Sequence, residues 1–147
     1  MYVLIAGGGK VGFYLAQELL QSNNEVLILE QDAGRVAAIT EELGENVMHG
    51  DGCEATTLDA AGVARADLVA AVTGDDEDNL VVCEIARSRG VPRIIARINN
   101  PKNVLLFKRR GIETTISATQ AVLAQIEQEL PTGEMIPLLQ MHSGLEL

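Results

Sequence analysis

The sequence is short of cysteine, histidine, positive charge and long apolar runs, and each shortage removes a class of protein. Only two cysteines, Cys53 and Cys83, occur among 147 residues. With no basic n-region or cleavage site at the N-terminus, the simplest reading is two reduced thiols in a cytosolic protein, not a disulfide scaffold. No apolar run approaches the ~20 residues of a membrane-spanning helix, so the chain is not expected to insert in a membrane. The formal net charge of −10 argues against a nucleic acid or an anionic membrane as partner, because binding there is driven by neutralising phosphates. The histidines are two, His49 in a predicted strand and His142 in an irregular tail. With no tyrosine and lysine paired at a plausible site, a hydride-transfer reaction lacks its acid or base. Tyr2 and Tyr14 are assigned to core packing and Cys53 to a structural role, so no catalytic residue is expected.

What is present is a regular alternation. The hydrophobic fraction of 47% is too high for disorder, and the length suits one domain. Short apolar runs at 2–6, 25–30, 46–50, 68–73, 93–98 and 113–117 read as strands. Amphipathic segments between them read as helices: 10–22 (Val11, Leu15 and Leu19 on one face), 32–43, 54–61, 75–89, 100–110 and 118–130. Gly44, Gly62, Gly90 and Gly111 stop four of them, and Pro131 stops the last. Strands without strict polar alternation, separated by helices, imply a parallel sheet covered on both faces. The expected fold is α/β, a Rossmann-like, doubly wound, six-stranded parallel sheet. Charge is uneven along it, since eight of the eleven Lys and Arg fall between Arg87 and Arg110. That cluster is either a solvated helix face or a patch that meets an acidic partner or a ligand's phosphates.

The chain opens with "YVLIAGGGKVG". Gly7, Gly9 and Gly12 satisfy G-x-G-x-x-G between a predicted strand and a predicted helix, which is the context a dinucleotide fingerprint requires. Gly7 allows the tight turn, Gly9 lets a pyrophosphate approach the backbone, and Gly12 permits close packing. The helix N-terminus then faces the phosphates. Glu30 closes the second strand, where a carboxylate accepts both ribose hydroxyls and repels a 2′-phosphate, favouring NAD or an adenine nucleotide over NADP. Further candidates stand at later strand ends. Asp51 and Gly52 belong to the adenine side, and Thr73, Gly74 and Asp75 border the pyrophosphate. Arg97 meets either a nucleotide phosphate or an acid such as Asp75. The four acids from Asp75 to Asp78 are explained by the helix dipole, and no metal site is expected there.

Taken in order, "VLIAGGGKVG", "VLILE", "HGDG", "AVTGDDEDN" and "RIIARINNP" resemble the RCK/KTN family, the regulators of potassium conductance. Over residues 2 to about 130 the chain looks like the N-terminal nucleotide-binding (TrkA-N) domain of Trk/Ktr-type potassium-uptake subunits. The resemblance implies a regulatory subunit, not an enzyme, that binds NAD(H) or ATP/ADP and gates a membrane potassium channel or transporter. It implies phosphate contacts from Gly7, Gly8, Gly9, Lys10, Val11 and Gly12, with a basic residue at Lys10 able to reach a terminal phosphate. It also implies ribose contact from Glu30, adenine-side contact from Asp51 and Gly52, and phosphate-side contact from Thr73, Gly74, Asp75 and Arg97. A homo-oligomer, a dimer or larger ring, is implied in the cytoplasm at the inner membrane face. Residues 1–130 are the expected nucleotide-binding domain, and 131–147 the expected tail or linker toward a smaller lobe. Val122, Ile126 and Leu130 form a stripe on the last helix that either meets a second subunit or packs on its own sheet. Residues 103–111 hold more consecutive apolar side chains than one helix face can bury. Two rival readings are the cofactor domain of an NAD-dependent oxidoreductase and a nucleotide sensor for a soluble partner.

Overall fold

The structure is a computed structural model and describes residues 1–130; the predicted tail at 131–147 lies outside the described residues. Strand β1 (Tyr2–Ala6) is buried along its whole length. "YVLIA" offers water almost nothing on either face, so it can only lie at the centre of a sheet covered on both sides. It pairs in parallel with β2 (Glu25–Glu30) and with β4 (Leu68–Ala71). With β3 (Val47–His49), β5 (Arg93–Ile98) and β6 (Thr114–Ser117), the sheet order is β3-β2-β1-β4-β5-β6, every pair parallel. This is the expected Rossmann-like doubly wound sheet, and its strand order reverses at β1.

Helices α1 (Lys10–Gln21), α2 (Ala33–Leu43), α3 (Ala55–Ala60), α4 (Asp76–Ser88), α5 (Val104–Arg109) and α6 (Ala118–Glu127) follow strands β1 to β6 in turn. Alternation along β1 divides the core. Val3 and Ile5 pack with Ala16 of α1 and Ile39 of α2 on one face. Tyr2, Leu4 and Ala6 pack with Leu58, Val82 and Phe107 from α3, α4 and α5 on the other. Each fully buried Leu, Ile or Val side chain contributes roughly 1.5–3 kcal/mol.

Three details differ from the sequence reading. The α1 residues buried deepest are Gly12 and Ala16, so the small residues form the seam with Leu15 and Leu19 beside it. Val11 is 45% exposed and Tyr14 61% exposed, so neither is core; the close approach made possible by the small seam turns them outward. Strand β4 stops at Ala71 because the Thr73 N–H goes to the Asn79 side chain and not to a neighbouring strand. The predicted helix at 100–110 begins as a single 3-10 turn over Pro101–Asn103, with the Asn100 side chain accepting the Lys102 N–H.

The fold also splits the basic cluster. Arg97 and Lys102 lie toward the carboxyl ends of the strands. Arg87 and Arg89 close α4, Lys108 to Arg110 close α5, and Arg93 opens β5, all at the opposite end. There Arg89 pairs with Asp59 and Arg110 with Glu84.

Candidate nucleotide-binding site

At the switch point the backbone parts company with itself. The Gly7 N–H bonds to the Leu29 carbonyl of β2, while the Ala6 carbonyl accepts from Val72 beyond β4, both at 2.9 Å. Above this divergence lies a cleft of about 470 Å3, within the range of small-molecule sites. Its walls come from the carboxyl ends of five strands. They include Gly7 and Gly9 after β1, Glu30 and Arg35 after β2, Asp51 to Cys53 after β3, Thr73 to Asp75 after β4, and Arg97 of β5.

The glycine turn is shaped for close contact. Gly7 has φ of +113°, and a Cβ there would lie 3.0 Å from the Thr73 nitrogen. A Cβ on Gly12 would lie 1.8 Å from the Gly7 carbonyl oxygen, so the helix can pass under the turn only without one. Gly9 is the N-cap of α1 and supplies no side-chain hydrogen bond, and no acid stands in the first turn. By contrast, Asp32, Asp75 and Ser117 cap α2, α4 and α6 through their side chains. The N-terminus of α1 therefore keeps open donors and a positive dipole end toward the cleft, an arrangement suited to an anion.

Glu30 is buried, and each oxygen of its carboxylate accepts one backbone N–H, leaving further lone pairs free. Oε1 accepts the Gly8 N–H and Oε2 accepts the Asp32 N–H, each at 2.8 Å. Arg35 Nη1 stands 3.9 Å from Oε1. On the far wall Arg97 is half-buried, and among the described residues its guanidinium has no ion pair or hydrogen bond. The alternative pairing with Asp75 is not formed, because the Asp75 carboxylate caps α4 by accepting the Asp78 N–H.

The acidic run separates by direction. The Asp76 carboxylate turns away from the cleft, accepting from Asn99 and Asn100 N–H at 2.6 and 2.9 Å and from the Asn99 and Asn103 side chains at 2.9 and 2.8 Å. Burial pushes its pKa up, but those four donors outweigh burial and hold it below the ordinary carboxylate value. Among the described residues no three His, Cys, Asp or Glu side chains converge as a metal site.

The structure gathers most of the predicted residues and separates a few. Gly7, Gly9, Glu30, Asp51, Gly52, Thr73, Gly74, Asp75 and Arg97 line the cleft. Gly8 and Lys10 face a neighbouring groove between α1 and α2, where Arg35 and Tyr14 also stand. Val11 lines neither hollow, and Gly12 acts beneath the turn.

Sequence reasoning passed over Arg35 and Asn79, and it gave Cys53, which lines the cleft, a structural role. Arg35 was findable, since the first turn of a helix after an acid-ended strand borders the cleft. The Cys53 thiol is pushed up to about 12 by burial and then by its contact with Asp78, so it stands as a neutral wall. Asn79 is fully buried beneath Thr73 and Arg97, and only the tertiary arrangement brings these three together.

Comparison with known proteins bears on the family and the fold. Residues 3–118 match the TrkA-N domain. The chain is 35% identical over 144 residues to a Trk system potassium uptake protein TrkA homolog of Methanothermobacter thermautotrophicus, covering 98% of this chain and 67% of that protein. It is 31% identical over 148 residues to the Trk system potassium uptake protein TrkA of Mycobacterium tuberculosis, covering 98% and 66%. It thus spans about two thirds of the length of these relatives. Among solved structures, the TrkA-N domain of the Escherichia coli inner membrane protein ybaL superposes with a TM-score of 0.80 at 21% identity, over 88% of this chain and 96% of that one. The GsuK channel bound to NAD superposes with a TM-score of 0.73 at 24% identity, over 83% of this chain and 22% of that one. Both structural likenesses bear on the fold, while the sequence match extends over most of the chain. On that match, the chain belongs to the TrkA-N domain family.

Proposed function

We propose that this chain is the nucleotide-binding regulatory part of a potassium-uptake system. It binds NAD(H) or ATP/ADP in the switch-point cleft, and exchange of one form for the other changes the activity of a membrane potassium channel or transporter. The observation that carries this reading is the N-terminus of α1, without a side-chain cap, above a turn where Gly7 and Gly12 leave no room for a Cβ, across the cleft from an Arg97 guanidinium that has no ion pair or hydrogen bond among the described residues. Phosphates sit over Gly7 and Gly9, the ribose at Glu30, the adenine toward Asp51 and Gly52, and the far phosphate side at Thr73, Gly74, Asp75 and Arg97. Lys10, on the groove side of the turn, reaches a terminal phosphate from outside the cleft, while the Gly8 N–H is already held by Glu30.

The role is binding, not hydride transfer. His49 does not line the cleft, and its Nε2 lies 2.9 Å from the Gln31 carbonyl oxygen. The potassium-transport relatives support a membrane transport protein as the partner, with this chain docked on it from the cytoplasm as a dimer or larger ring. No helix among the described residues is long and apolar enough to cross a membrane, which is compatible with that placement.

Calorimetric titration with NADH, NAD, ATP, ADP and AMP tests the reading. Preferential binding of one member of a redox or phosphorylation pair is the expected result. Equal binding of both members removes exchange as the switch, because a ligand shifts an equilibrium only through differential affinity. No binding of any of the five overturns the assignment.

A further inference from the structure

We infer that Asn79 is a positioning residue for the phosphate half of the cleft, holding the Thr73–Gly74 turn and Arg97 at a fixed separation. The inference rests on the nucleotide-binding reading. Asn79 is 0% exposed, in the first turns of α4, where an apolar side chain would cost less to bury. Instead its amide is fully used. Oδ1 accepts the Thr73 N–H at 3.0 Å and the Thr73 hydroxyl at 2.6 Å. Nδ2 donates to the Thr73 carbonyl at 3.1 Å and to the Arg97 carbonyl at 3.0 Å. Two donated and two accepted bonds are about what one primary amide can make.

Those four bonds stand where the pairing of β4 with β5 stops, while β5 runs on beside β6. The last paired residues of β4 and β5 are Ala71 and Ala96. Beyond them the Asn79 amide is a bridge from the Thr73 turn to Arg97, joined there by the Asn99 side chain donating to the Thr73 carbonyl at 3.1 Å. Both bridged residues line the cleft. The free donors on this wall are the Arg97 guanidinium and the Gly74 N–H, neither of which has a partner among the described residues. Since both are rooted in segments that Asn79 ties, the side chain sets the gap a phosphate must fill. The Glu30 and Asp51 end of the cleft is built from β2, β3 and their loops, and none of the four Asn79 bonds reaches it.

The test is calorimetry with adenosine and ADP on wild type and Asn79→Asp, from pH 8 to pH 5. The variant keeps the shape but turns an oxygen toward the Thr73 and Arg97 carbonyls, and a proton restores one donor. ADP affinity is expected to fall at least about tenfold at pH 8, the scale of one lost charge-assisted hydrogen bond. Adenosine affinity is expected to hold within about twofold, and the ADP deficit relative to wild type to shrink as pH falls. Unchanged ADP binding, equal loss for adenosine, or a deficit that ignores pH each overturns the positioning role. A second measurement needs no variant: in the wild-type amide spectrum, the Asn79 side-chain NH2 signals should shift on adding ADP and stay in place on adding adenosine. Absence of that selective shift also overturns the role. Wild type that binds none of NADH, NAD, ATP, ADP and AMP overturns the nucleotide reading itself, whereas wild type that binds ADP with an indifferent Asn79→Asp overturns only this inference.

Discussion

Glu30 holds Gly8: the buried carboxylate at the end of β2 accepts the Gly8 N–H at 2.8 Å, and its other oxygen accepts the Asp32 N–H at the same distance. The acid that faces the ribose in the proposed site is thus also the brace of the glycine turn and of the start of α2. Substitution should act on stability and binding together. Glu30→Gln keeps the volume but sets an NH2 group against a backbone N–H, at a cost of about 1–3 kcal/mol. Urea unfolding should show that loss, and Glu30→Ala should weaken NAD and ADP by a similar ~1–3 kcal/mol. Unchanged affinity for both nucleotides would remove Glu30 from the site.

Arg97 should behave in the opposite way. Among the described residues it has no ion pair or hydrogen bond to lose, so Arg97→Gln, which keeps much of the stem, should leave stability within about 0.5 kcal/mol. ADP binding should weaken by ~1.5–3 kcal/mol, the scale of a hydrogen bond to a charged group. If stability falls and ADP affinity does not, the arginine is structural.

The four donors around Asp76 give the fold an acid sensitivity. The folded pKa lies below the ordinary 3.8, so the unfolded chain takes up the proton more readily. The stabilisation is therefore complete above about pH 4–5 and is lost as pH falls through the lowered folded value. Asp76→Asn should be less stable than wild type at pH 7, and the gap should narrow below about pH 4 in denaturant titrations. A gap that stays constant down to pH 2.5 would show that the charge contributes nothing.

On α6, Val122 is 58% exposed and Ile126 43% exposed; the helix ends at Glu127, short of the predicted 130, and Leu130 beyond it is 43% exposed. Exposed apolar side chains one helical turn apart favour a subunit contact. Light scattering at micromolar concentration is expected to give a dimer or larger, and Ile126→Glu to shift it toward monomer. A clean wild-type monomer would assign the stripe to solvent.

The strands were legible because burial on both faces leaves continuous apolar runs, as "YVLIA" and "EVLILE" illustrate. The glycine turn was legible because its conformational demands are local. The outward side of α1 was not. Val11, Leu15 and Leu19 keep helical spacing, but contact with the sheet was decided by Gly12 and Ala16, whose lack of bulk allows close approach. Periodicity weighs size as hydrophobicity and so placed the seam one residue aside.

By itself, the sequence determined the order of strands and helices, the bare turn at Gly7 to Gly12 and an acid at the end of β2, all properties of neighbouring residues. Tertiary structure decided that Arg97 and Lys102 part from the other basic residues, that Asn79 joins Thr73 to Arg97, and that the Asp76 carboxylate serves the start of α5. These pairings cross 6 to 27 residues of chain. A hydrogen bond at that separation depends on where parallel strands bring their carboxyl ends, and no local pattern carries that information.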